Sequence, residues 1–215
     1  MFNNLALIVR RPDVSRREFR DHYEDIHAPL ALPFMQGLRR YLRNHVQVAL
    51  DGVEPGFDVL SQFSFESLEA AGRMQAVLQS EAGQVILNDE ATFMDKPRNT
   101  FFAISQPNVV IDGAAPAGEF VKVVAAAKAP AGVDAAQLRA NFARDTLAPL
   151  LEAGPKALRC ETHDVLGGPH GEPYDCVAFV WFMRDGFAPE ALASWKPEAS
   201  ASLLLQVEEC VTPLD

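Results

Sequence analysis

Only three of the 215 residues are cysteine, and Cys160, Cys176 and Cys210 form neither a C-x-x-C pair nor a Cys/His cluster of zinc type. A disulfide scaffold finds no support, and three reduced thiols point to the cytoplasm. Basic residues are also scarce: 19 Lys and Arg against 29 Asp and Glu leave a net charge of −10. Such a surface repels phosphate backbones and anionic lipid, which argues against nucleic acid and membrane as partners. Long apolar runs are missing as well. The run Leu5-Ala6-Leu7-Ile8-Val9, between Asn4 and Arg10, is too short for a signal-peptide core or a membrane span. There is no G-x-G-x-x-G, P-loop or G-x-S-x-G element, so nucleotide cofactors and serine hydrolysis have no sequence support. His22 and His27 stand five apart, unlike the i, i+4 pair of a zinc helix, and no protein metal site is expected. A haem held by one axial histidine leaves no spacing signature and stays open.

What is present is an ordinary globular composition, 48% apolar and 22% charged. A chain of this length buries about 70% of its unfolded surface and needs no cofactor to be stable. Leu5 to Val9 reads as a short buried strand stopped by Arg10-Arg11-Pro12. Ser15-Arg16-Arg17-Glu18 is a capping box that starts a helix, with Phe19, Tyr23 and Ile26 at helical spacing until Pro29 and Pro33 disturb it before Gly37. Tyr41 to Leu50 alternates as a strand, with Leu42, Val46 and Val48 on the side expected to meet the helices and Tyr41, Arg43, His45 and Gln47 on the other. Phe57 to Phe65 is a third strand, Ser67 caps a second helix to about Gln79, and Thr100 to Ile104 is a fourth strand. The order is β-α-β-β-α-β, the ferredoxin-like arrangement of an α+β fold.

The second half loosely repeats the first. Residues 138–160 align with 19–41, so that Phe142, Ala148-Pro149-Leu150 and Arg159 stand where Tyr23, Ala28-Pro29-Leu30 and Arg40 stand. Tyr174-Asp175 echoes Phe57-Asp58, and the capping signals recur as Asp134-x-x-Gln137 and Pro189. The reading is one ferredoxin-like repeat over 1–111, a small-residue linker at 112–118, and a diverged ferredoxin-like repeat over 119–215. Each sheet leaves one face needing cover, so two copies would close a barrel within the chain, helices outside, with room for a small ligand.

Several side chains could carry chemistry. His27, just before a helix-disturbing proline, could take or give a proton near pH 7, or simply bond a carbonyl at a helix end. Tyr41, Arg43 and His45 share a strand face: phenol and guanidinium suit an enolate, phenolate or carboxylate, and His45 could move a proton, while a solvent-facing edge is the plain alternative for Arg43. Tyr23 reads as core, since Phe142 replaces it, but its hydroxyl is also a candidate substrate contact. Asp58 recurs as Asp175, which favours turn or backbone hydrogen bonds over its other candidate role in substrate binding. At the position of His27 the second half has Leu147, and Cys160, Thr162 and Asp164 replace Tyr41, Arg43 and His45, so the halves are chemically unequal.

The segment from Phe19 to Val46, with His27-Ala28-Pro29-Leu30 and Gly37-Leu38-Arg39-Arg40-Tyr41 and then Asp58 opening strand three, resembles the EthD-like family of the dimeric α/β-barrel superfamily. The likeness covers residues 1 to about 108 and, more loosely, 119–215, which suggests a tandem, internally dimeric member. It implies a cofactor-independent enzyme acting on a small hydrophobic molecule, aromatic or polyketide-like, by proton transfer beside a carbonyl: dehydration, decarboxylation or cyclisation. His27 would be the general acid/base, helped by Tyr41 and His45, with Arg43, Tyr23 and Asp58 toward the substrate. A cofactor-free monooxygenase and a non-catalytic ligand carrier are the alternatives. A homodimer beyond the internal barrel is a further option.

Overall fold

The computed structural model of the chain describes residues 1–169, 171–193, 195, 197, 199 and 201–214. The fold is mixed α/β, in two compact units: Met1–His45 with Gly56–Ala103 and Glu209–Asp215, and Val46–Pro55 with Ile104–Glu208. Compactness therefore does not divide the chain at residues 112–118. Residues 46–55 pack with the second unit and 209–215 with the first.

In the first unit β1 (Phe2–Ile8) leads to α1 (Arg16–His22), a π-helical turn (Tyr23–His27) and α2 (Ala28–Ala31). The start of α1 is fixed by the expected capping box: Ser15 Oγ accepts from the Glu18 N–H at 3.2 Å, and the Glu18 carboxylate accepts from the Ser15 N–H at 2.9 Å. β2 (Leu38–Ala49) and β3 (Val59–Phe65) follow, then α3 (Leu68–Leu78), α4 (Gln84–Phe93) and β4 (Thr100–Ile104). α4 has no counterpart in the sequence reading. Gly37, at φ 78°, turns the chain into β2, and a Cβ there would lie 2.9 Å from the Ala70 Cβ.

The strand order is β4-β1-β3-β2, with β3 antiparallel to both β1 and β2. Tyr41 lies opposite Phe63, Arg43 opposite Ser61 and His45 opposite Val59, so these six side chains share a face. That face is the helix side, because Tyr41 and Val59 belong to one core with Phe19 of α1, Tyr23, and Ile86 and Phe93 of α4. The expectation that Leu42 and its neighbours meet the helices is thus reversed. Both faces of β2 are buried here, Leu42 and Asn44 on one and Arg43 and His45 on the other. Alternation of polarity therefore does not report which face meets the helices. Val48, expected on the buried side, is 47% exposed.

In the second unit β5 (Asn108–Ile111), β6 (Phe120–Lys128), α5 (Ala135–Asn141), a second π-helical turn (Phe142–Leu147), α6 (Ala148–Ala153), β7 (Ala157–Gly167), β8 (Cys176–Met183), α7 (Pro189–Leu192) and β9 (Ala201–Val211) run in order. The sheet order is β9-β6-β8-β7-β5. Apart from β5, which pairs with β7, the four strands stand in the same relative order as those of the first unit. Its core packs Val123, Ala125, Cys160, Val180 and Phe182 against Phe142, Leu147 and Leu150.

Candidate active site

The site begins with a local irregularity. In both units the π-helical turn ends one residue before an Ala-Pro-Leu, at His27 and at Leu147. Proline has no N–H to continue an α-helical ladder. In the first unit the Ala28 N–H instead reaches back five residues to the Tyr23 carbonyl. A π turn brings residues five apart to one side, where an α-helix would splay them. His22 and His27 consequently converge, contrary to the expectation from α-helical spacing. Both reach Asp89 of α4, His27 through Nδ1 to Oδ2 at 2.8 Å and His22 through Nε2 to Oδ1 at 2.8 Å.

His27 is 4% exposed, with ring neighbours Tyr23 at 5.1 Å and Phe93 at 5.3 Å between centroids. Burial lowers its pKa below the usual imidazole value, and the bond to Asp89 only partly offsets this. The neutral form is favoured. With a carboxylate at Nδ1, that nitrogen carries the proton and Nε2 presents a lone pair.

A second cluster lies across the Tyr23 ring, which is 5.8 Å from that of His45. Glu24, on the π turn, accepts from Arg43 Nε at 3.1 Å and Nη2 at 2.5 Å, and its Oε1 lies 2.6 Å from His45 Nε2. Arg43 also donates to the Tyr41 carbonyl at 3.2 Å and to the Thr212 hydroxyl, and its guanidinium stacks 4.4 Å above the Tyr41 ring. Burial raises the pKa of Glu24, but the bonds from His45 and Arg43 outweigh it and bring it to about 2. The Tyr41 hydroxyl donates to that of Tyr23 at 3.2 Å, and Tyr23 is bonded to Ser61 Oγ at 3.0 Å. Burial keeps both phenols protonated, above the usual value.

Glu24, His45 and Cys210 are the one trio among the described residues whose ligand atoms fall within 4.8 Å of one another. The donor set does not suit a cation. Arg43 already forks onto Glu24, and Arg20 Nη2 lies 3.9 Å from Cys210 Sγ, so two guanidinium charges would oppose a dication.

The expected residues thus part company. His27, Tyr23, Tyr41, Arg43 and His45 do gather on the helix side of one sheet, but the polar groups of Arg43 and His45 are committed to Glu24. Arg43 is 4% exposed, which rules out a solvent-facing edge. Asp58 is engaged elsewhere. It accepts from the Arg10 N–H and Nε, both at 3.0 Å, and from Arg16 Nε at 3.3 Å, as Asp175 accepts from the Ala129 N–H at 2.8 Å. These bonds tie Asp58 to one backbone N–H and two guanidinium groups. Asp89 and Glu24 were not among the sequence candidates. The available signals were slight: Ile86 and Phe93 seven apart on the buried side of α4, and a glutamate beside the aromatic that precedes His27.

Residues 11–97 match the EthD domain. The matched segment contains every side chain of the two clusters except Thr212 and Cys210. No curated protein matches the chain. Among solved structures, an anthrone oxidase-like protein is similar at 11% identity and a TM-score of 0.59, covering 98% of this chain and 92% of that one. A putative monooxygenase from Fusobacterium nucleatum is similar at 7% identity and a TM-score of 0.59, covering 98% and 93%. Another, from Lactobacillus acidophilus, shows 8% identity and a TM-score of 0.51, covering 98% and 94%. At these identities the likeness is one of fold.

Proposed function

We propose that this protein is a cofactor-independent enzyme that removes a proton from carbon beside a carbonyl of a small hydrophobic metabolite, aromatic or polyketide-like. The observation that carries this reading is the His27 Nδ1 to Asp89 contact, 2.8 Å long and nearly dry. A carboxylate at Nδ1 fixes the tautomer, leaving the Nε2 lone pair as general base. The substrate C–H proton becomes the Nε2–H, and the electron pair left behind spreads onto the carbonyl oxygen as an enolate. The Tyr23 ring lies 5.1 Å from that of His27 and its hydroxyl is linked to that of Tyr41, and these phenols would steady that oxygen. Arg43, His45 and Glu24 act as positioning residues that hold Tyr41 and the π turn in place.

From the enolate, expulsion of a β-hydroxyl (dehydration) or attack on a second carbonyl (cyclisation) follows according to the substrate, while in decarboxylation the enolate instead forms by loss of CO2. Capture of the carbanion by oxygen is the second reading, favoured by the names of the similar structures, an anthrone oxidase-like protein and two putative monooxygenases. The test is native mass spectrometry of co-purifying ligand, then turnover of that ligand by the parent and by His27→Gln. A loss of about 10²-fold or more supports His27 as the base. Unchanged turnover contradicts it, and unchanged binding without turnover in either protein indicates a carrier.

The finer reading of the fold belongs to the same proposal: two diverged ferredoxin-like copies, at 1–111 and 119–215, completing a barrel within one chain. The shared strand order of the units and the cover of nearly the whole chain by the similar structures support it. We further propose a cytoplasmic protein, without nucleic-acid or membrane partners, in which a homodimer is not needed to build the site. The three free cysteines are consistent with that compartment, and no helix among the described residues is long and apolar enough to cross a membrane.

A further inference from the structure

We propose that His22 is a positioning residue that sets the proton affinity of His27 through their shared counter-ion, Asp89, so that the pair exchanges one proton with solvent instead of accumulating charge. This rests on the reading of His27 as a base. The geometry is specific: each oxygen of one carboxylate is taken by a different imidazole, at 2.8 Å in both cases. The two rings differ sharply in access to water. The side chain of His27 is 5% exposed, that of Asp89 12% and that of His22 26%.

One carboxylate cannot neutralise two imidazolium ions, so protonation of either ring opposes protonation of the other. The charged form costs least on the more exposed ring. The proposed exchange starts from a neutral His27 with Nδ1–H donated to Asp89 and from a His22 that carries a hydrogen on both ring nitrogens. When His27 Nε2 takes the substrate proton, His27 becomes the cation. His22 then releases its Nδ1–H to water while keeping Nε2–H donated to Asp89. One N–H bond forms and one breaks, and the net charge of the three groups is unchanged.

The other groups around His27 do not substitute for this. Tyr23 is a protonated phenol, and Phe93 is apolar. Glu90, on the same helix as Asp89, also acts on His27 but is itself paired with Lys96. His45 is across the Tyr23 ring and bonded to Glu24.

The test needs no substrate. The Cε1–H resonances of His22 and His27 are followed by NMR against pH in the parent and in His22→Gln, whose amide can still donate to Asp89 but carries no charge. The expected result is a two-step curve for His27 in the parent, its second inflection shared with His22. In His22→Gln a single step is expected, with its midpoint raised by roughly one pH unit. A one-step His27 curve in the parent, or a midpoint unmoved by His22→Gln in a folded variant, overturns the proposal. If His22→Gln does not fold, the parent curve alone decides. Loss of turnover in His27→Gln is a separate measurement, so the base assignment and the coupling can fail independently.

Discussion

At the scale of residues, the two buried ion networks separate chemistry from scaffolding. Glu24 neutralises Arg43 in a setting where only 4% of that residue meets solvent. Removing one partner of such a pair leaves an uncompensated charge, so Glu24→Gln should destabilise the fold by about 3–5 kcal/mol, read from urea unfolding at pH 7. The pH dependence has a definite sign. Glu24 has a folded pKa of about 2 against an ordinary 4.5, so its stabilisation is complete above pH 4.5 and is lost as pH falls toward 2. Unfolding curves at pH 6 and pH 3 should therefore converge between parent and Glu24→Gln, and a constant difference would argue against the assignment. His27 acts in the same direction at higher pH. Its folded pKa is lowered, so the unfolded chain takes up the proton first and stability falls as pH drops through the ordinary value of 6.5. Tyr41→Phe should reduce turnover less than His27→Gln, since it removes a hydroxyl from the oxyanion side and leaves the base untouched.

At the scale of elements, legibility in the sequence followed the chemistry of backbone termini. The Ser15 capping box, the Ser67 and Asp134 caps and the span of β4 were all readable, because side-chain oxygens satisfying free N–H groups leave a local signature. Ser15→Ala should cost about 1 kcal/mol in thermal or urea unfolding. The π turn was not readable. Pro29 announces a break, but whether the preceding turn widens or frays depends on what Tyr23 and His27 pack against, and that is tertiary. The same limit hid Asp89. A carboxylate 62 positions after His27 in the chain has no periodic relation to it, and α4 is too short and mixed in pattern to stand out. The helix side of β2 was misread because the apolar face of Leu42, Val46 and Val48 was expected to meet the helices, whereas Glu24 lets the polar Arg43 and His45 be buried on that side.

At the scale of the whole molecule, sequence order and compact unit disagree in an informative way. Residues 209–215 belong to the first unit: the Thr212 N–H donates to the Tyr41 carbonyl at 3.1 Å, its hydroxyl meets Arg43, and Leu214 packs on the first core. A chain ending at Glu208 should therefore lower the unfolding temperature and loosen Arg43, and unchanged melting would contradict this. In the proposed two-copy reading Ala-Pro-Leu and the paired aspartates are the shared marks, and Leu147 and Cys160 stand where the first half has His27 and Tyr41. Expression of residues 1–111 alone tests the proposed internal barrel. An insoluble or self-pairing fragment is expected, because an apolar sheet face loses its cover, and a stable monomeric fragment would refute it.

The central claim is that Asp89 holds His27 as a neutral base with Nε2 free. The most direct measurement is the pair of ¹⁵N chemical shifts of the His27 ring near pH 8. The account predicts a protonated Nδ1 and an unprotonated Nε2 in the parent, with that preference lost in Asp89→Asn. A parent ring protonated at Nε2, or a tautomer indifferent to Asp89→Asn, would contradict it.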